Sequence, residues 1–202
     1  MCGFRAGRGA RTSPPDIILS MSDRPDDDAL GEAAAPLPGV AREAIRAKLE
    51  CRDPQAVVEA TGLLARPAPV FVTLRIGGKL RGCIGSLTPL RANLVEETMD
   101  RARAAAFEDP RFSSLTLSEL ERTDVEVSIL GPLETIGSHD DLDPARFGIE
   151  VSDGHGKRAV LLPEISGVDT VEQQIELTRQ KARIVRGANL EIRRFSVVKV
   201  RK

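Results

Sequence analysis

VFVTLRIGGKLRGCIG, residues 70–85, alternates apolar and polar side chains before a glycine pair and turns back after it. Val70, Val72, Leu74 and Ile76 share one face of an extended chain, and Phe71, Thr73 and Arg75 share the other, which is the two-residue period of a strand. Gly77-Gly78 supplies two residues free to take positive φ, as a type I′ hairpin turn requires. The return strand sets Leu80, Gly82 and Ile84 on one face and Arg81, Cys83 and Gly85 on the other. A cysteine beside an arginine, between two glycines, makes this hairpin the candidate seat of chemistry.

Outward from the hairpin, Thr88 and Pro89 are placed to cap and open a helix. Its apolar stripe is Leu94, Val95, Thr98, Met99, Ala102, Ala105 and Ala106, with Glu97 and Arg101 expected to pair at i,i+4 on the wet side. Glu108-Asp109-Pro110-Arg111-Phe112 reads as a turn that Arg111 anchors through Asp109 or backbone carbonyls. Thr116 and Glu119 have capping-box spacing, as do Thr170 and Gln173 before a late helix. Val125, Val127 and Ile129 alternate in one strand and Phe147, Ile149 and Val151 in another, which Asp153-Gly154-His155-Gly156 turns into a second hairpin. The last strand, 190–200, changes apolar phase at Arg193-Arg194, which predicts a bulge or bend. Before the first hairpin, Ala41, Ala44, Ile45 and Leu49 repeat at helical spacing up to Asp53-Pro54, and 55–64 carries a weaker helical pattern. Hairpins interspersed with helices, without regular strand–helix alternation, define the α+β class: an antiparallel sheet with packed helices.

The 202 residues suit one domain with tails, or one domain of two lobes. Lys and Arg number 29 against 30 Asp and Glu, and the net charge of −1 gives no electrostatic footprint for nucleic acid or an acidic membrane. Trp and Tyr are absent, so no base-stacking platform is expected. No apolar run approaches the roughly 20 residues of a membrane span. The three cysteines, Cys2, Cys51 and Cys83, form no C-x-x-C pair and follow no secretory signal, which fits a reducing, cytoplasmic setting. His139 and His155 lie in polar turns far from any cysteine, so neither a metal set nor a cofactor motif is read. Residues 1–36 read as a disordered tail, basic at Arg5, Arg8 and Arg11 and then acidic, with Met21 a candidate start of translation. The folded domain is expected over 37–202.

Leu80-Arg81-Gly82-Cys83-Ile84-Gly85 resembles the signature hexapeptide of the AMMECR-domain family, whose microbial members are called AmmeMemoRadiSam system protein A. The resemblance continues through Ala106 to Phe112 (the family's A-x-x-D-P-R-F), Glu126-Val127-Ser128-Ile129-Leu130 and Leu161-Leu162-Pro163-Glu164, in the family's order. It implies a two-lobed α+β fold with the hexapeptide at the cleft between lobes. It implies no settled reaction, and as partners it suggests a Memo-like protein and a radical SAM protein. Where the family reads K-A-G-L-P, this chain has Lys181-Ala182-Arg183-Ile184-Val185, and loss of the glycine is expected to alter that helix end and the role of Lys181.

Two functions stay open on these residues. In one, the protein is a partner- or ligand-binding subunit whose cleft is lined by the hexapeptide. In the other, it is an enzyme or enzyme subunit in which Cys83 is a thiol nucleophile and Arg81, Gly82, Gly85 and Glu126 hold a small anionic substrate. A nearby cation would favour a Cys83 thiolate, whereas a cysteine in a central strand is equally a small packed apolar residue. Glu126 is either the partner of Arg81 or a solvent-facing acid, and Glu164 either a cap or a cleft acid.

Overall fold

The computed structural model describes residues 27–202. Most of the expected tail, with Met21, lies outside the described residues. The folded part starts earlier than position 37, because Asp27–Ala34 forms helix α1. Ala34 is fully buried and Leu30 packs on the main core, so this acidic stretch is anchored by its alanine–leucine face.

Helix α2, Leu37–Leu49, carries the expected stripe, with Ala41, Ala44 and Ile45 fully buried. The 55–64 stretch is not helical beyond a short 3-10 turn at Gly62–Ala65. The first hairpin follows as β1, Val70–Ile76, and β2, Lys79–Gly85, with Gly77 at φ 56° and Gly78 at φ 75° as the turn demands.

Helix α3, Leu94–Phe107, starts later than expected. Asn93 caps it by accepting the N–H of Glu96, and Thr88-Pro89 belong to the preceding loop. Glu97 is fully buried rather than wet: it accepts the N–H groups of Leu90 at 2.7 Å and Arg91 at 2.8 Å, and it pairs with Arg101 at 3.4 Å. Unpaired N–H groups in that loop would be costly to bury, so Glu97 serves as the loop's missing acceptor.

Helix α4, Leu117–Leu120, and helix α5, Val171–Lys181, both open on the expected capping boxes. The other strands are β3, Thr123–Leu130; β4, Glu134–Thr135; β5, Phe147–Ser152; β6, Arg158–Leu161; and β7, Glu191–Arg201. All pair antiparallel in one sheet of order β2-β1-β3-β7-β5-β6, with β4 on β7. The expected α+β architecture is therefore the one observed.

The apolar phase change in β7 has a cause other than a bulge. Residues 191–196 pair in continuous register with β5, and residues 197–201 pair with β3. One strand thus serves two halves of the sheet: Ile192 and Val200, on one pleat face, pack the two helix-covered cores, and Phe195 and Val197, on the other, fill the core between the halves.

Helices α2 and α3 cover one face of the β2-β1-β3 half, over Val70, Val72, Leu74, Val125, Val127 and Ile129. Helix α5 covers the β5-β6 half, where Ile149 and Val151 meet Ala182, Ile184 and Ile175. The uncovered faces turn toward each other. Leu130, Val160 and Phe195, with Phe71, Leu87, Leu162 and Val197, form a small core shared by both halves, so the sheet curls around a concave face.

Candidate functional site

Antiparallel register places opposed residues on the same face. Cys83 stands opposite Thr73, Thr73 opposite Glu126, and Glu126 opposite Arg201, a row of four polar groups across β2, β1, β3 and β7. The next row is Gly85, Phe71, Ser128 and Lys199. Both rows lie on the concave face, because the residues between them, Val72 and Val127, are buried under the helices.

Cys83 is a free, partly exposed thiol, with Sγ 3.3 Å from Thr73 Oγ1. Its backbone is held from the edge of the sheet. Asp109 Oδ2 accepts the Cys83 N–H at 2.8 Å, and Arg111 Nη2 donates to the Cys83 carbonyl at 3.3 Å. Arg111 also grips Asp109 through Nε at 2.9 Å and Nη2 at 2.7 Å, the anchoring read from the sequence. The Asp-Pro-Arg turn thereby caps an edge strand that would otherwise expose its peptide groups. Hydrogen bonds from the Arg111 side chain hold the Asp109 carboxyl down to about 2, aided by the backbone N–H groups of Cys83 and Arg111.

Arg81 stands apart from this site. Leu74 faces Gly82 but Arg75 faces Leu80, so Arg81 is the extra residue of a β-bulge. The bulge ends the simple alternation and sends the guanidinium to Glu119, with Nε at 2.9 Å, and to the carbonyl of Ser113 at 3.0 Å. Arg81 is thus committed to structure, with Phe112 within 5.8 Å of its guanidinium. Glu126 does not pair with it either; its partner is Arg201 Nε at 2.5 Å.

The two glycines are packing positions rather than openings for a substrate. A Cβ on Gly82 would lie 2.2 Å from the carbonyl oxygen of Ala105 in α3, and one on Gly85 would lie 2.2 Å from the ring of Phe71. Glu164 accepts Lys199 Nζ at 2.7 Å, which lowers its pKa. It also lines a separate shallow cavity of about 340 Å³ with Asp143, Pro144 and Asp169.

The sequence alone did not bring Lys181 to the site. Its ammonium donates to the carbonyl of Val160, in edge strand β6, at 3.0 Å, and it lies within electrostatic reach of Cys83 and Arg111 in edge strand β2 and its capping turn. The core that joins Val160 with Phe71 and Leu87 brings the sheet's two edges toward each other, and the exposed Lys181 lies on the β6 side of that approach. Desolvation draws the Lys181 pKa below the ordinary lysine range, and the neighbouring Arg111 charge adds to that while Cys83 opposes it. The helix end that delivers Lys181 is intact despite the missing glycine. Arg183 takes the left-handed conformation at φ 55°, and the Schellman bonds form, Arg183 N–H to Gln180 O at 2.9 Å and Ile184 N–H to Arg179 O at 3.1 Å.

Among the described residues no group of three or more His, Cys, Asp or Glu side chains could hold a metal ion, and no helix is long and apolar enough to cross a membrane. Around Cys83 the concave face thus offers a thiol, the Thr73 and Ser128 hydroxyls, the Lys199 ammonium and the Arg201–Glu126 pair, with the Arg111–Asp109 pair at its edge.

Comparison with known proteins agrees with the fold and the signature. A protein of Thermotoga maritima is 44% identical over 137 residues, spanning 67% of this chain and 78% of its own. A longer protein of Clostridium acetobutylicum is 38% identical over 130 residues, spanning 64% of this chain and 27% of its own. The crystal structure of an uncharacterised protein from Pyrococcus horikoshii superposes with a TM-score of 0.73 at 30% identity, covering 83% of this chain and 90% of that one. The AMMECR1 family profile matches residues 38–200, nearly the whole of the curled sheet and its helices, and the chain belongs to the AMMECR1 family.

Proposed function

We propose that the chain is a ligand- or partner-binding subunit that works through the concave face around Cys83. The observation that carries this reading is the in-register row Cys83, Thr73, Glu126 and Arg201, on the one face of the β2-β1-β3 half that no helix packs. Beside it, Ser128 is fully buried with an Oγ that has no hydrogen-bond partner among the described residues. A buried hydroxyl normally finds a partner, so this face has unmet polar capacity of the kind a ligand supplies. Thr73, Asp109 and Arg111 lock the thiol and its backbone, a pre-organised arrangement that lowers the ordering cost of binding.

The partners that fit the family's system name are a Memo-like protein and a radical SAM protein. Size-exclusion chromatography of the purified chain with each of them tests this part. A complex that forms with the native chain and is lost when Cys83 is carboxamidomethylated supports the reading. A complex indifferent to that modification moves the interface elsewhere, and no complex removes these partners.

A second reading, catalysis by Cys83, is favoured by the position of Lys181. A lysine with a lowered pKa within electrostatic reach of a thiol has the character of a general base, a role that the remote histidines do not fill. Retained partner binding with lost turnover in Cys83→Ser would establish it.

A further inference from the structure

The chain between β6 and α5, residues 163–169, belongs to the β5-β6 half of the sheet but is tied to the other half. On its own side, Leu162 packs into the core shared by both halves, and the Glu164 N–H donates to the Pro144 carbonyl at 2.9 Å. From the other side comes Lys199, in the part of β7 that pairs with β3. Its ammonium donates to the Pro163 carbonyl at 2.9 Å and to Glu164 Oε2 at 2.7 Å. Lys199 is only 14% exposed, and its stem rises from the sheet to this segment.

Ser128 lies at the foot of that stem. It stands opposite Lys199 on one side and Phe71 on the other, on the concave face. It is fully buried, and its Oγ has no partner among the described residues. No helix packs this face, so the burial needs another cover, and the segment that Lys199 carries supplies one beside Phe71. That cover is strained. Glu164 takes φ 58°, a left-handed conformation that a residue with a Cβ holds only where its surroundings fix it. The ion pair that fixes it has a carboxylate 57% exposed, and such pairs are weak. Behind it, a shallow cavity of about 340 Å³ separates Glu164, Ile165 and Ser166 from Asp143 and Pro144, which leaves the segment room to move.

We propose that residues 163–169 are a strap latched by Lys199, which opens in the native protein to admit a ligand's hydrogen-bonding group to the Ser128 hydroxyl and then recloses. The inference rests on the concave face being the binding face and adds how that face is gated. Opening breaks the Lys199 bonds and relieves the Glu164 backbone, and a ligand that bonds Ser128 supplies what the closed state lacks.

The test places a thiol at the covered position. With Cys2, Cys51 and Cys83 replaced by serine, Ser128→Cys is labelled with iodoacetamide, the sulfur attacking the methylene carbon as iodide leaves. Native labelling should be slow and should depend only weakly on low urea, as a local opening that exposes little surface does. Lys199→Met keeps the stem and removes the ammonium, and it should speed labelling about tenfold, the scale of losing a charge-assisted hydrogen bond. A second measurement needs no cysteine substitution: on Lys199→Met, amide exchange at Glu164 should rise by a similar factor, while the Val127 amide inside β3 keeps its rate.

Labelling with the steep urea dependence of global unfolding, no change on Lys199→Met, or equal rises at Glu164 and Val127 would overturn the strap. Cys83 separates that failure from failure of the binding face. If the strap fails while Cys83 in the native chain still reacts with iodoacetamide, the face stands without a gate. If Cys83 reacts only in urea, the face is lost and the strap with it.

Discussion

The Asp109 carboxylate accepts the backbone N–H of Cys83 at 2.8 Å and is itself gripped by Arg111, so the peptide of the signature cysteine is held by a turn that follows α3. Asp109→Asn keeps the size and loses the charge. It should cost about 2–3 kcal/mol, the worth of charge-assisted hydrogen bonds at a buried carboxylate. For a chain of this length that lowers the melting temperature by about 5–10 °C. Amide exchange at Cys83 should rise with it, and an unchanged exchange rate would show that the turn does not hold the strand.

Acid should reveal the same pair and a second one. Asp109 and Glu119 are both held down to about 2, Asp109 chiefly by the Arg111 side chain and Glu119 chiefly by the Arg81 side chain. The folded protein binds these two protons more weakly than the unfolded chain does, so the stabilisation is present above the ordinary carboxylate range and drains as pH falls toward 2. Urea midpoints at pH 6 and pH 2.5 should fall further in the native sequence than in an Asp109→Asn, Glu119→Gln double variant. Equal falls would place acid sensitivity elsewhere.

Gly82→Ala should be severe. The added methyl meets a helix backbone oxygen at 2.2 Å, and α3 must move away from β2 to admit it. Overpacking of this kind costs about 3 kcal/mol. Gly78→Ala, with nothing within 4 Å of the new methyl, separates strain from crowding, because its cost comes from φ alone. A mild Gly82→Ala would mean that the sheet and helix are less tightly joined than the geometry shows.

Arg183→Gly should stabilise. The position is left-handed at the end of α5, where glycine meets no Cβ penalty, and about 1 kcal/mol is at stake. Thermal unfolding should shift upward by about 2–4 °C. A downward shift would mean that the arginine side chain contributes more than its backbone costs.

Much of this molecule was legible in local sequence. The glycine-pair hairpin, both capping boxes and the Asp109–Arg111 anchor depend on residues within a few positions of one another, and the structure has them. The start of α3 was misplaced because Asn93 and Thr88 are both competent caps, and the choice between them is made by Glu97, which reaches back to bond the loop. Strict alternation puts Arg81 on the face of Cys83, and a bulge is invisible to that pattern. The phase change in β7 is visible in the sequence but its cause is not, since burial of both faces of one strand, Ile192 on one side and Phe195 on the other, is a property of topology. The missing glycine of the related pattern puts the role of Lys181 in doubt, yet Arg183 adopts the left-handed conformation that glycine favours. No local signal joins Lys181 to Cys83. They come within electrostatic reach because the sheet curls, and that depends on the shared core of Leu130, Val160 and Phe195.

The titration of Lys181 by NMR, observed at its side-chain carbon beside the amine, tests most directly whether the curl of the sheet brings Lys181 within electrostatic reach of Cys83. The expected result is a pKa below the ordinary lysine value of 10.5, lowered by desolvation and by Arg111, and falling further when carboxamidomethylation removes the Cys83 charge that opposes them. A pKa at or above 10.5 that ignores modification of Cys83 would contradict it.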